Sequence, residues 1–99
     1  MNEINTEEIL KPFRNEIDRL DQEIVRLIAE RFKVVHQVGV TKAKHKISTV
    51  QPKRMDEVLN RVAGIAQEHD LDPDLVRLLY TNMIDHAHKL EFVITGEES

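Results

Sequence analysis

The apolar residues of the first third of the chain recur every three or four positions over an unusually long stretch. The pattern runs from about Asn5 to Val38, through Leu10, Phe13, Ile17, Leu20, Ile24, Leu27 and Val34. This period is typical of one face of an α-helix. A helix of roughly 40 residues is about 60 Å long at the usual rise per residue. Because a chain of 99 residues is too short to cover such a face with its own remaining residues, the pattern predicts a partner chain.

The residues at the two ends of this stretch predict a helix start and a loop. Asn5, with Glu8 three residues later, resembles a capping signal. Residues 44–49, KHKIST, are polar and end in Ser48 and Thr49 ahead of Pro52, which predicts a loop and a helix cap.

Two further helices are predicted after this loop. The second begins with Pro52 in its first turn, stops near His69 and has a buried face made of Met55, Val58, Leu59, Val62, Ile65 and Ala66. The third is capped by Asp72, ends near Gly96 and has an apolar face made of Val76, Leu79, Tyr80, Met83, Ile84, Ala87 and Leu90. With no strand pattern, the sequence predicts an all-α fold of three helices in a single domain, residues 1–99.

The composition and charge of the chain argue against several classes of partner. A net charge of -4 argues against general affinity for nucleic acid, and the basic cluster Lys42, Lys44, Lys46, Lys53 and Arg54 has no interleaved aromatic residues. The histidines lack metal-ligand spacing, so no metal is expected. With no cysteine, no leader-like start and no apolar run of membrane-spanning length, we expect a cytoplasmic protein without membrane contact.

Polar residues at positions where the helical pattern calls for apolar ones are candidate functional residues. Arg31 stands between Leu27 and Val34 in the seam of the first helix, where a guanidinium needs an anion. Lys42 comes eleven residues later on nearly the same face. Glu91 lies on the apolar stripe of the third helix, where desolvation favours the neutral acid.

Arg14 lies at the edge of the same stripe as Arg31, but about 42 Å from Lys42 along a continuous helix. One chain cannot bring Arg14 and Lys42 together. An antiparallel partner delivers its own Arg14 beside the first chain's Lys42, which predicts two cationic pockets in each dimer.

Two other interpretations of these charges remain open. Arg31 and Glu91 form a buried ion pair in the first, since buried charges are normally paired. In the second the chain is a helical scaffold without activity, which explains the long apolar face but leaves Arg31 in the seam unexplained. Replacing Arg31 by leucine distinguishes an enzyme from a scaffold. A scaffold tolerates the change, whereas an enzyme loses turnover and keeps its dimer.

The basic residues and the segments around them carry a family resemblance. The segments FRNEIDRLDQEIVRLIAER (residues 13–31), VGVTK (38–42), PKR (52–54) and LDPDLVRLLY (71–80) resemble the all-helical chorismate mutase family across nearly the whole chain. The positions that match its basic residues are Arg14, Arg31, Lys42 and Arg54. The resemblance implies an intertwined homodimer of three-helix chains in which Arg14 reaches the partner's site.

The resemblance also implies an activity and roles for these residues. A chorismate mutase converts chorismate to prephenate by a pericyclic rearrangement that needs no nucleophile, metal or cofactor. Arg14 of the partner and Arg31 then hold the substrate's carboxylates, and Arg54 lies near its ring. Lys42 and Glu91 face the ether oxygen, on which negative charge grows.

Several positions depart from the better-known bacterial pattern. Met55 replaces a glutamate that binds the substrate's hydroxyl, Gln51 an aspartate, and Ala87 a serine that assists a carboxylate. Glu91 stands where a glutamine often donates a hydrogen bond, which a glutamate can do only when protonated. The related isochorismate-pyruvate lyases, which form salicylate and pyruvate, also lack the hydroxyl-binding glutamate and are the alternative activity.

Overall fold

The computed structural model describes residues 5–97, and these form three α-helices. The helices are α1 (Thr6–His45), α2 (Pro52–Glu68) and α3 (Pro73–Thr95). No β-strand occurs between residues 5 and 97, so the prediction of an all-α fold of three helices is confirmed. None of the three helices has a stretch both long and apolar enough to cross a membrane, within the residues described.

The start of α1 agrees with the sequence prediction, and one of the inner residues of the helix is a proline. The Oδ1 of Asn5 accepts a hydrogen bond from the Glu7 N–H at 3.0 Å, and Glu7 and Glu8 place negative charge in the first turn, where the helix dipole favours it. Pro12 lies inside α1, where the apolar spacing alone gives no sign of a helix-breaking residue. A proline there has no N–H for the carbonyl four residues earlier and costs about 3 kcal/mol, so the rest of the helix must offset it.

Both ends of α3 and the last residues of α2 agree with the predictions, but the N-cap of α2 does not. Gln51 is the N-cap of α2, so the prediction that Ser48 and Thr49 provide the cap is wrong. Thr49 is instead fully buried and hydrogen-bonded to Glu97, beyond α3. At α3 the Asp72 side chain accepts a hydrogen bond from the Asp74 N–H at 2.9 Å, and Gly96 ends the helix in the left-handed conformation with a φ of 74°, both as predicted.

Contacts along the chain divide it into two compact units, one up to Lys33 and one from Val34 onward. The hydrophobic core of the second unit lies between α2 and α3. Its buried residues are Val58, Val62, Ala66, Val76 and Ile84, with Met55, Leu59 and Tyr80 packed against them. Ile65, predicted to be buried, and Leu79, on the predicted apolar face of the third helix, are 43% and 53% exposed in the single chain, and Ala63 is buried without having been predicted.

The first unit is the N-terminal part of α1, and its apolar face is exposed in the single chain. Six residues of that face have 45–66% of their surface exposed: Ile9, Phe13, Ile17, Leu20, Ile24 and Leu27.

The same unit carries ion pairs within the helix. Arg19 bonds Glu16 and holds the pKa of that carboxyl below its usual value, and Arg26 bonds Glu23 and Glu30. Exposed pairs of this kind add little stability. They therefore do not make up for the stability that burial of the apolar face would contribute.

Gly39 is buried in α1 at a close approach to α3. A Cβ added there would lie 3.0 Å from Cδ1 of Ile94 and 3.4 Å from Cγ of Glu91. By contrast, a Cβ added at Gly64 in α2 meets nothing within 4 Å. Glycine at position 39 therefore lets α1 lie against the part of α3 that carries Glu91.

This difference predicts opposite outcomes for two glycine-to-alanine changes. Gly64→Ala should stabilise the protein by about 1 kcal/mol, because alanine is the better helix former and the added methyl group meets no neighbour. Gly39→Ala should gain less than this or destabilise, because the Ile94 side chain must shift. Urea unfolding of both variants at one protein concentration measures the difference, and equal gains would contradict the close approach.

Candidate functional site

Lys42 near the end of α1 and Glu91 on α3 form an ion pair in the second unit. The Lys42 Nζ lies 2.8 Å from the Glu91 Oε1, and the two side chains are only 15% and 6% exposed. Two charges removed from water attract each other more strongly than an exposed pair does, but both also lose hydration. The structure thus brings together the two residues predicted to be catalytic.

The Glu91 oxygen that faces Lys42 keeps unused hydrogen-bonding capacity. Apart from the Lys42 Nζ at 2.8 Å, Oε1 is buried and has no partner within residues 5–97. A carboxylate oxygen can accept more than one hydrogen bond. Oε1 therefore has capacity left for a ligand that reaches the pair.

The ammonium group of Lys42 is also held by the loop between α1 and α2. It donates a hydrogen bond to the Thr49 carbonyl oxygen at 2.7 Å. The Thr49 N–H in turn donates to the Glu97 Oε1 at 2.8 Å, and Thr49 has no exposed surface. Because an ammonium has three N–H donors, the bond to Thr49 fixes its direction and leaves donors for a ligand.

The remaining predicted residues of this unit lie at the start of α2 and on α3. Gln51 is exposed and donates to the Ser48 carbonyl at 2.9 Å, and Arg54 is exposed with Glu57 at 3.7 Å. Met55 is half-buried and packs against the α2–α3 core, so it presents no acceptor for a hydroxyl group. Ala87 is buried one turn before Glu91, on the same face of α3.

Arg14 and Arg31 belong to the first unit. The Arg14 Nη1 lies 2.8 Å from each carboxylate oxygen of Glu7, on a side chain that is half-exposed. Arg31 is half-buried, in keeping with its predicted place in the seam. The roles of both arginines in binding a substrate stay predictions.

Two clefts of the second unit meet at Lys42. One has a volume of about 410 Å³ and is lined by Lys42, Ala43, Lys46, Ile47, Ser48, Thr95 and Glu97. The other has about 400 Å³ and is lined by Val34, Gln37, Val38, Thr41, Lys42 and Ile47. Both volumes are in the range of small-molecule sites. Within the residues described, no group of three or more side chains is arranged to hold a metal ion.

Thr49 and Glu97 make the contacts that sequence reasoning missed. The sequence predicts a helix cap at Thr49 and no role for Glu97. They are 48 positions apart, and their hydrogen bond depends on how the end of α3 meets the loop. The spacing of residues along the chain does not predict such a contact. The one indication in the sequence is that Thr49 is polar and lies close to Lys42.

Comparison with known proteins gives a family that agrees with this geometry. The model of the family described as chorismate mutase type II matches residues 13–92. The chorismate mutase of Methanocaldococcus jannaschii is 29% identical over 84 residues, which is 85% of this chain and 85% of that protein. A 4-amino-4-deoxychorismate mutase of Streptomyces venezuelae is 28% identical over 90 residues, 91% of this chain and 87% of that protein.

Longer relatives match as well. The bifunctional chorismate mutase/prephenate dehydratase of Aquifex aeolicus is 38% identical over 61 residues, 62% of this chain and 17% of that protein. The chain therefore spans less than a fifth of the length of the bifunctional relatives it matches. The family match includes Arg14, Arg31, Lys42, Arg54 and Glu91 within its bounds. From this match over most of its length, the chain belongs to the chorismate mutase type II family.

Proposed function

We propose that this chain is a chorismate mutase that rearranges chorismate to prephenate. The observation that carries the proposal is the buried Lys42–Glu91 pair, whose Glu91 Oε1 has no partner within residues 5–97 other than the Lys42 Nζ. Membership of the chorismate mutase type II family and the likeness to the Methanocaldococcus jannaschii enzyme support it.

Lys42 and Glu91 act on the ether oxygen of the substrate. The carbon–oxygen bond breaks ahead of carbon–carbon bond formation, so negative charge grows on that oxygen. Lys42 donates a hydrogen bond to it, and Glu91 donates a second one when it carries a proton. Donors fixed in a site with little water stabilise this charge without having to reorganise during the reaction.

The arginines hold the substrate in the reactive conformation. Arg31 and the partner's Arg14 bind the two carboxylates, and Arg54 lies near the ring, so that the enolpyruvyl arm is kept over it. Gln51, Met55 and Ala87 line the pocket near the hydroxyl and a carboxylate. Neither metal nor cofactor takes part.

The proposed working unit is a homodimer in which α1 of one chain lies antiparallel to α1 of its partner. The exposed apolar face of α1 supports this, because large contiguous apolar patches mark interaction surfaces. Covering one leucine or isoleucine contributes about 1.5–3 kcal/mol. We further propose that residues 1–99 form one chorismate mutase-type domain, that the protein works in the cytoplasm, and that it binds neither nucleic acid nor membrane.

A second substrate, 4-amino-4-deoxychorismate, is favoured by one feature of the pocket. Met55 packs against the core and offers no acceptor to a hydroxyl group, and a relative that covers most of this chain bears the name 4-amino-4-deoxychorismate mutase. Isochorismate, cleaved to salicylate and pyruvate, is the other alternative.

The donor role of Glu91 predicts how glutamine at this position affects turnover. Only the acid form of a glutamate donates a hydrogen bond, whereas the amide of Glu91→Gln always donates, so this variant should turn over chorismate at least as fast as wild type. The rate of chorismate consumption by the variant and by wild type measures this.

The matched control is Glu68→Gln, which makes the same chemical change at an exposed position at the end of α2. It should keep the wild-type rate. A Glu91→Gln enzyme slower than wild type would remove Glu91 from the donor role.

The shared site predicts recovery of activity when two inactive variants are mixed. Arg14→Ala and Lys42→Ala should each lose turnover. A heterodimer of the two places both lesions in one site and leaves the other intact, so an equal mixture refolded together should regain about a quarter of wild-type activity.

The control is the same mixture of Arg31→Ala and Lys42→Ala. Both residues are supplied by one subunit, so every site of each dimer has a lesion and no activity should return. Failure of the Arg14→Ala mixture to recover, although heterodimers form, would place Arg14 in its own subunit's site or outside the site.

A further inference from the structure

Glu97, the residue after the glycine that ends α3, makes contacts that the proposed function does not use. Its Oε1 accepts a hydrogen bond from the Thr49 N–H at 2.8 Å and a second one from the Thr49 hydroxyl at 3.3 Å. The Glu97 N–H donates to the Thr95 hydroxyl at 3.2 Å, which holds Glu97 itself at the end of α3. The carboxylate thus joins the end of α3 to the loop after α1.

Both backbone groups of Thr49 are therefore used. Its N–H is bonded to Glu97, and its carbonyl oxygen accepts from the Lys42 Nζ at 2.7 Å. Thr49 is fully buried, and its hydroxyl also lies 3.3 Å from that of Thr95. An exposed loop that lacked these contacts would let the carbonyl move, and the Lys42 ammonium would lose its fixed partner.

We propose that Glu97 is a positioning residue for Lys42, acting through Thr49. It fixes the backbone of the loop, the loop carbonyl directs the ammonium, and the ammonium then lies beside Glu91 with donors left for the substrate. For its effect on turnover this inference rests on the proposed function, but the contact of Glu97 with the Thr49 N–H does not.

Two substitutions at position 97 distinguish the effect of hydrogen bonding from the effect of charge. Glutamine at position 97 keeps an oxygen that accepts from the Thr49 N–H, whereas alanine removes the acceptor. The charged groups that face this carboxylate are Lys42 and Lys46, which line the same cleft. If Glu97 works through the acceptor, glutamine replaces glutamate and alanine does not.

The test compares Glu97→Gln, Glu97→Ala and the matched exposed control Glu68→Ala in the full chain. Two quantities are measured: amide hydrogen exchange at Thr49, and kcat and KM for chorismate. Glu97→Ala should speed exchange at Thr49 and lower kcat at least about tenfold, since small misplacements of catalytic groups have effects of this order. KM should change less, because the arginines that hold the carboxylates are not altered. Glu97→Gln should stay within about twofold of wild type, as should the control.

The outcomes separate this inference from the proposed function. Faster exchange at Thr49 with unchanged kcat in Glu97→Ala would reduce Glu97 to a structural contact and overturn the inference. The inference also fails if Glu97→Gln behaves as Glu97→Ala does, since charge rather than the acceptor would then matter. A wild-type chain that does not turn over chorismate overturns the proposed function and any role of Glu97 in it.

A second variant keeps the inference testable if the first does not fold. Glu97 is exposed and outside the α2–α3 core, so its loss removes no core packing. If Glu97→Ala nevertheless fails to fold, Glu97→Asp serves instead, because it shortens the side chain by one methylene group and keeps the charge. It should give an intermediate loss of kcat, and a wild-type kcat with faster exchange at Thr49 would overturn the inference.

Discussion

Lys42 and Glu91 carry opposite charges in a part of the molecule that water hardly reaches, and each offsets part of the free-energy cost of burying the other. A buried ion pair costs much of its attraction in lost hydration, so it needs close geometry and further partners. Gly39 allows α1 to approach α3 closely enough, and the Thr49 carbonyl supplies the additional acceptor for the ammonium. The close helix contact and the buried loop are thus linked to this one pair.

The pair alone does not make a site for a dicarboxylate. In the proposed dimer the arginines supply the remaining positive charge, and one of them comes from a second chain. The same apolar face of α1 that is exposed in the single chain then has two functions: it holds the dimer together and it carries Arg14 to the partner's pocket. Stability and substrate binding would depend on one surface, so changes on that face should affect both.

Much of the fold was predictable because helix signals are local. The long period of α1, Asn5 at its start, Pro73 after Asp72 and the terminal Gly96 are read within a few residues of where they act. Which residues pack against a given helix face is not a local property: Leu79, on the predicted apolar face of the third helix, is exposed in the single chain. Thr49 was misassigned for the same reason, since its N–H is bonded to Glu97, 48 positions away. The ion pair of Lys42 with Glu91 was not predicted; the family resemblance implied only that both residues face the ether oxygen of the substrate.

The most direct test of the proposed activity is the product formed by the purified chain from chorismate, from isochorismate and from 4-amino-4-deoxychorismate, each identified by chromatography, with Arg31→Ala as the inactive control. A chorismate mutase forms prephenate from chorismate, and the variant should lose this product. Salicylate and pyruvate formed faster from isochorismate would make the chain a lyase, and faster rearrangement of the amino analogue would change the substrate. Turnover of none of the three would contradict the proposed activity and leave a helical protein without it.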